Sequence, residues 1–314
     1  GLRPGGHRSL RIAGFSRTMD TSMKNAPSYG ALSPTSRASG ALSVPTKVIE
    51  PSHGWRMLNF GELWAYRELL SVLVRRDIKV RYKQSVLGVA WVILRPLASM
   101  AIFTLIFGMF ARIPSDGYPY ALFVFAGLLP WIYFSTAVLS SGGSLVASAG
   151  LVSKVYFPRL IIPVASVAGG LLDLFVSMVF LLLAIPIFGG GWTANLLAVP
   201  VLVLGVVVTA LGVGTLISAL TVAYRDFGSI AGYALQIWMY ATPVIYPVSL
   251  VPEKWQWVLK INPMAAQVEG FRSAFLGKPF DIEAIAVSFG ISLALFVIGV
   301  AYFEKVERRF ADII

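Results

Sequence analysis

The sequence predicts an all-α polytopic membrane protein, and three observations carry that reading. Six long apolar stretches follow residue 85, and no segment between them is rich enough to form a separate soluble domain. Mean hydropathy is +0.75, and 57% of residues are hydrophobic. Only 13% are charged, about half the share usual for a soluble domain. A bilayer core of roughly 30 Å needs about 20 apolar residues in a helix. Stretches 86–110, 120–140, 160–188, 196–222 and 284–303 supply them, while the sixth, 228–247, is shorter and carries Pro243 and Pro247 at its end. A chain of this kind serves transport, lipid chemistry or membrane scaffolding.

The elements follow in order. Residues 1–59 open with a stretch rich in Ser, Gly, Pro and Arg and read as a disordered cytoplasmic tail, without the apolar run of a secretory signal. Residues 60–84 read as an amphipathic helix at the membrane interface. Arg67, Ser71, Arg75, Lys79 and Lys83 make a polar stripe, and Leu63, Tyr66, Leu70, Leu73 and Val74 an apolar one. Residues 85–314 hold the six spans. Within the fourth, Ala210, Gly214 and Ser218 at four-residue spacing allow another helix to approach closely. The segment 248–278 contains Pro252, Pro263, Trp255 and Trp257 between apolar runs of about ten residues, a length that fits re-entrant or interfacial helices.

Charge placement sets the topology. The net charge of +11 comes from 26 basic and 15 acidic residues. Eight Lys or Arg lie in 1–59, six in 67–83, and Lys305, Arg308 and Arg309 near the other end. Cations beside spans stay in the cytoplasm, so both termini are expected there and an even number of spans fits. This placement follows a membrane and gives no footprint for nucleic acid. The outer segment 248–283 fits less well, since it holds Lys254, Lys260, Arg272 and Lys278. Glu253, Glu269, Asp281 and Glu283 offset them and read as surface neutralisation.

Several chemistries are excluded. There is no Cys, and the two histidines, His7 and His53, lie in the tail, so the membrane body offers no His-based metal site or general base. No GxxxxGK[ST] phosphate loop occurs, Gly277-Lys278 being followed by Pro279. Coupling to an ion gradient leaves several acids or histidines in spans, whereas Asp173 is the one clear intramembrane acid. Energy is therefore expected from a separate ATPase chain.

Four segments in order resemble one family. They are Arg76-Asp77-Ile78-Lys79-Val80-Arg81-Tyr82-Lys83-Gln84-Ser85-Val86-Leu87-Gly88 with Trp91 and Leu94-Arg95-Pro96; Gly127-Leu128-Leu129-Pro130-Trp131; Lys154-Val155-Tyr156-Phe157-Pro158-Arg159; and Thr242-Pro243-Val244-Ile245-Tyr246-Pro247 leading to Asn262-Pro263. Over about 60–310 the chain looks like a permease of type 2 ABC exporters, in the branch that exports O-antigen, capsule-like polysaccharide and teichoic acid. The resemblance implies a homodimer of six-span subunits in the bacterial inner membrane. It also implies two cytoplasmic ATPase subunits, which bind the ATP and Mg, and a polyprenyl-pyrophosphate-linked glycan as cargo. A coupling helix within 145–159 and an outer gate of two short re-entrant helices belong to the same implication, and no cofactor is expected in this chain.

Candidate site residues follow from depth and chemistry. Arg95 and Asp173 lie deep in the first and third spans, where charges are costly and seek partners, and they are expected to pair. The pair either fixes packing or leaves Arg95 to guide the pyrophosphate, with Pro96 loosening the helix beside it. Phe103, Phe107 and Phe110, Trp131 after Pro130, and Tyr233, Trp238 and Tyr240 are candidates for a sugar-tolerant conduit, since sugar C–H faces stack on aromatic rings; packing is the alternative for each. Lys154, Tyr156, Phe157 and Arg159 are the expected ATPase contact, aromatics buried and cations at the rim. The rival reading, an enzyme acting on polyprenyl-linked sugars, has only Glu253, Glu269, Asp281 and Glu283 as a cluster of acids. Export of drugs or small lipids is a third possibility.

Overall fold

The computed structural model describes residues 60–83 and 90–307, and among these the elements are helical throughout. The expected tail at 1–59 lies outside the described residues. A short α1 (Phe60–Ala65) precedes α2 (Arg67–Lys83), and α3 (Ala90–Phe103) runs on into a π-helical segment, Thr104–Phe110. Then come α4 (Tyr120–Ala147), α5 (Ala149–Val152), α6 (Ile161–Gly169), α7 (Leu171–Ile187), α8 (Val199–Ala223) and α9 (Phe227–Ala241). The last three are α10 (Glu253–Ile261), α11 (Pro263–Leu276) and α12 (Ile282–Glu307).

Among the described residues, five helical stretches are long and apolar enough to cross a membrane: Ala90–Phe110, Tyr120–Ala147, Ile161–Ile187, Ala194–Ala223 and Ile282–Glu307. They coincide with the five long stretches of the sequence. The sixth, short stretch forms α9, whose 15 residues span roughly 22 Å at 1.5 Å each, less than the bilayer core. Thr242 and Pro243 follow it, and the chain turns there because Pro cannot continue a helix and biases the residue before it towards extended backbone.

Helix α4 is the axis of the fold. Its sequence is apolar on every side, the pattern of a helix surrounded by others, and α3, α6, α7, α8, α9 and α11 all pack on it. Small residues set the closest approaches. Ala210, Gly214 and Ser218 are all buried, as their spacing predicts, and a Cβ on Gly214 would stand 2.8 Å from Ser141 Oγ of α4. On the other side of α8, Gly212 and Gly299 bring α12 into backbone contact.

Helix α11 is short yet sunk in the core, packed by α4, α8 and α12. Its ends are written in the sequence: Asn262 caps the start by accepting from the Met264 amide, Pro263 takes the first turn, and Gly277 ends the helix at φ 74°. Buried polar groups need partners where water is absent. Gln267 accordingly donates to Thr209, Ser292 and Ser288 at 3.0–3.3 Å, joining α11 to α8 and α12.

Candidate functional site

Helix α2 positions the first candidate region. Asp77 faces Gly169, and Arg81 faces Asp173, with the same offset of 92 residues, while Leu73 packs in one cluster with Ile161, Ile162 and Ala165. A constant offset means that α2 runs parallel to α6 and reaches the first turn of α7. Its exposed side carries Arg67, Arg75, Lys79 and Lys83, the predicted polar stripe.

This packing corrects the expected pairing of Arg95 with Asp173. The Asp173 carboxylate is held by Arg81, with Nη1 to Oδ2 at 2.5 Å, and by the Tyr82 hydroxyl, which donates to Oδ1. Counting depth separately along two spans placed Arg95 and Asp173 together but took no account of a helix outside the spans rising beside the third. A signal was present, because Leu73, Asp77 and Arg81 lie four residues apart on the packed side of α2, where a charge needs a partner. Burial first, and then Asp173, push the Tyr82 phenol above its ordinary pKa against the opposing charge of Arg81, so it remains a donor. Arg95 forms no ion pair among the described residues. It lines, with Arg81, Tyr82 and Asp173, a cavity of about 420 Å³ bounded also by Trp91, Pro96, Leu129, Tyr133, Thr136 and Ser177.

The aromatic candidates divide into two groups. Trp131 is only 3% exposed and sits in the core, its ring 5.5 Å from Phe134 and 6.4 Å edge-on from Trp238. Trp238 Nε1 donates to Asn262 at 2.9 Å, which ties α9 to the start of α11. Phe103 and Phe107 meet edge to face against the same core. Phe110, Tyr233 and Tyr240 are exposed. On α9, Ile230, Tyr233, Ile237 and Tyr240 recur every three or four residues as one exposed stripe, opposite buried Ala231 and Leu235.

The loop after α5 is also sorted by the fold. Phe157 is 5% exposed, packed in the cluster that holds Leu73, Leu145 and Ile161, so it is not free to enter a partner. Arg159 Nη1 donates to the Glu307 carbonyl at 2.6 Å, fastening the loop to the end of α12. Lys154, Val155 and Tyr156 stay exposed. Of the four residues expected at a contact, Lys154 and Tyr156 present themselves to solvent.

Sequence reasoning missed a fourth group. Arg272 is fully buried and Glu269 pairs with it at 3.1 Å; Lys278, itself buried, bridges Glu269 at 3.2 Å and Asp116 at 2.8 Å. Glu269 therefore belongs to an internal network rather than to surface neutralisation. Arg272 also donates to the carbonyls of Val244 and Phe123, at 2.7 and 3.2 Å, and lies over the Phe123 ring. Its nearness to Glu269, at i and i+3 in a helix, was the available signal. Partial burial works against ionisation of Asp116, but hydrogen bonds from Lys278 and Ser249 and the charges of Lys278 and Arg272 outweigh it. The carboxyl titrates below its ordinary value, so its contribution to stability is complete above about pH 4 and is lost as pH falls through the lowered value. In an acid series of melting temperatures, Asp116→Asn is expected to start lower at neutral pH and to lack this acid-dependent component. Parallel curves for the two proteins would refute it.

The comparisons agree with this architecture. The family described as ABC-2 type transporter matches residues 68–276. The O-antigen export system permease protein RfbA of Klebsiella pneumoniae is 30% identical over 257 residues, covering 82% of this chain and 97% of that protein. RfbA of Myxococcus xanthus is 31% identical over 254 residues, covering 80% and 97%. The polysialic acid transport protein KpsM of Escherichia coli is 24% identical over 250 residues, covering 76% and 93%. With the matched family spanning α2 to α11, and the helices that carry the motifs packed as one membrane body, the chain belongs to the ABC-2 type transporter family, whose members are transport subunits rather than enzymes.

Proposed function

We propose that this chain is the permease of a bacterial ABC exporter that carries a polyprenyl-pyrophosphate-linked polysaccharide outward across the cytoplasmic membrane. ATP and Mg are bound by a separate ATPase subunit. The observation that carries the reading is the match to O-antigen export permeases across 97% of their length. The enzyme alternative loses its footing, because Glu269 is engaged with Arg272 and Lys278 and the family is one of transport subunits. The names of the relatives favour a glycan over a drug or small lipid.

Two copies are proposed to form the passage. Support comes from the first span, of which almost nothing is buried, and from the exposed α9 stripe with Tyr233 and Tyr240. Phe110 adds an exposed ring on the first span. In this reading Trp131 and Trp238 stiffen the wall behind those rings. Both termini face the cytoplasm, and α10 and α11 form the outer re-entrant pair.

The ATPase is proposed to dock on 145–159 through exposed Lys154, Val155 and Tyr156. In liposomes holding this chain, its ATPase and a lipid-linked glycan, export should require both proteins. Tyr156→Ala is expected to weaken co-purification of the ATPase or to uncouple hydrolysis from export, while Phe157→Ala lowers the melting temperature instead. ATP hydrolysis by this chain alone, or unchanged coupling in Tyr156→Ala, would sink the assignment.

A further inference from the structure

The cavity at the end of α2 holds two guanidinium groups and one carboxylate. Arg81 and Tyr82 both turn to Asp173, while Arg95 has no ion-pair partner among the described residues. Of the remaining lining, Trp91, Leu129 and Leu174 are apolar, and Thr136, Ser140 and Ser177 add hydroxyls. A cationic excess beside an apolar wall fits an amphiphile with an anionic head. We propose that this cavity binds the phosphate-bearing headgroup of a lipid, and that Asp173 is an internal counter-anion that holds Arg81 and Tyr82 until the headgroup takes its place.

Three features support exchange over a permanent bond. The side chains of Arg81 and Asp173 are each about one-third exposed, at 34% and 33%, so another anion reaches them without unfolding anything. Every donor on Asp173 suits a phosphate oxygen equally well: a guanidinium binds phosphate in a two-pronged geometry, and a phenol donates one bond more. Charge supplies the direction. Arg95 alone matches a single negative charge, whereas a headgroup with two or more requires Arg81 as well, and Arg81 is released only by displacing Asp173. Because α2 lies parallel to α6, that exchange detaches the last turn of α2 from the first turn of α7.

The headgroup has two possible sources, a prenyl diphosphate carrying cargo or an anionic phospholipid of the bilayer. The first source rests on the export reading. The test is native mass spectrometry of the purified chain with its ATPase, titrated separately with farnesyl diphosphate and with phosphatidylglycerol. Arg95→Gln is expected to weaken binding roughly tenfold, the effect of losing one charge-assisted hydrogen bond, and Arg95→Lys to keep part of it. Arg95 is exposed, so these variants test the site without disturbing the core. Asp173→Asn is expected to move the affinity the other way, several-fold tighter, because the resident competitor is gone. A purely structural role predicts no such opposite signs. Tighter binding of farnesyl diphosphate assigns the cargo lipid and fits displacement of Asp173; tighter binding of phosphatidylglycerol, whose single charge needs Arg95 alone, assigns the bilayer and overturns the counter-anion role. Unchanged affinity in Arg95→Gln, or weaker binding in Asp173→Asn, overturns the proposal. Export measured in liposomes separates the two readings: transport without headgroup binding rejects the site alone, and binding without transport rejects the export function alone.

Discussion

Arg272→Ala is expected to destabilise the protein by about 3–5 kcal/mol, the scale found when one partner of a buried ion pair is removed. The guanidinium is fully buried and donates to three backbone carbonyls, those of Phe123, Val244 and Tyr246, as well as to Glu269. Truncation leaves those acceptors without a donor, deprives Glu269 of one of its two cations, and opens a hole beside Phe123. It also releases the 244–246 segment that follows α9 from α11. Arg272→Lys retains the charge, but a compact ammonium cannot reproduce the planar fork, and an intermediate loss is expected. Yield of monodisperse protein in detergent and the melting temperature measure both variants. A melting temperature for Arg272→Ala equal to that of the unaltered chain would show that the network contributes nothing.

Gly299→Ala carries the second largest expected loss, about 1–3 kcal/mol for overpacking a tight contact. An added Cβ would stand 2.2 Å from the Gly212 carbonyl oxygen. That atom is backbone, so no rotamer change relieves the clash, and α12 has to move away from α8 along its length. Gly212→Ala meets the backbone of Leu295 and Phe296 at 2.6 Å and should be similarly costly. Both changes separate the same two helices, so the double variant is expected to lose less than the sum. Thermal melting of the three proteins decides it, and simple additivity would mean that the helices relax independently at the two sites.

The long spans were legible because a bilayer imposes one length and one composition on anything that crosses it. Ala210, Gly214 and Ser218 were legible for a related reason, since small residues recurring on one face admit a neighbour whatever its sequence. Partner choice was harder to read. Arg81 counts in the sequence only as one of the six cations of 67–83, in a helix whose hydropathy is that of a surface helix; the packing of α2 along α6 arises from Leu73 and its neighbours and appears only in three dimensions. Phe157 stands among charges as an interface residue would, yet the chain bends at Phe157 itself and its ring packs inward. Glu269 and Lys278 read as a neutral surface by count, whereas a count carries no depth. The aromatic candidates were selected by type, and the fold divides them between a core and an open face that the ring chemistry alone does not distinguish.

The first span is hung from the rest of the molecule at few points. Pro96 is buried, the Ser177 hydroxyl reaches the Val92 carbonyl at 3.5 Å, and Phe103 and Phe107 lean on the core. The α4, α8 and α12 slab, by contrast, is locked by glycine contacts and buried polar bonds. Mechanically the chain therefore consists of a stiff block and a compliant wall. Sideways displacement of the wall breaks one weak hydrogen bond among the described residues and unpacks Pro96, Phe103 and Phe107, while the glycine contacts and buried polar bonds of the block stay in place. In the two-copy passage proposed above, such a wall would adjust the bore by translation, so that successive sugars of unequal width could pass while the fold around them keeps its shape.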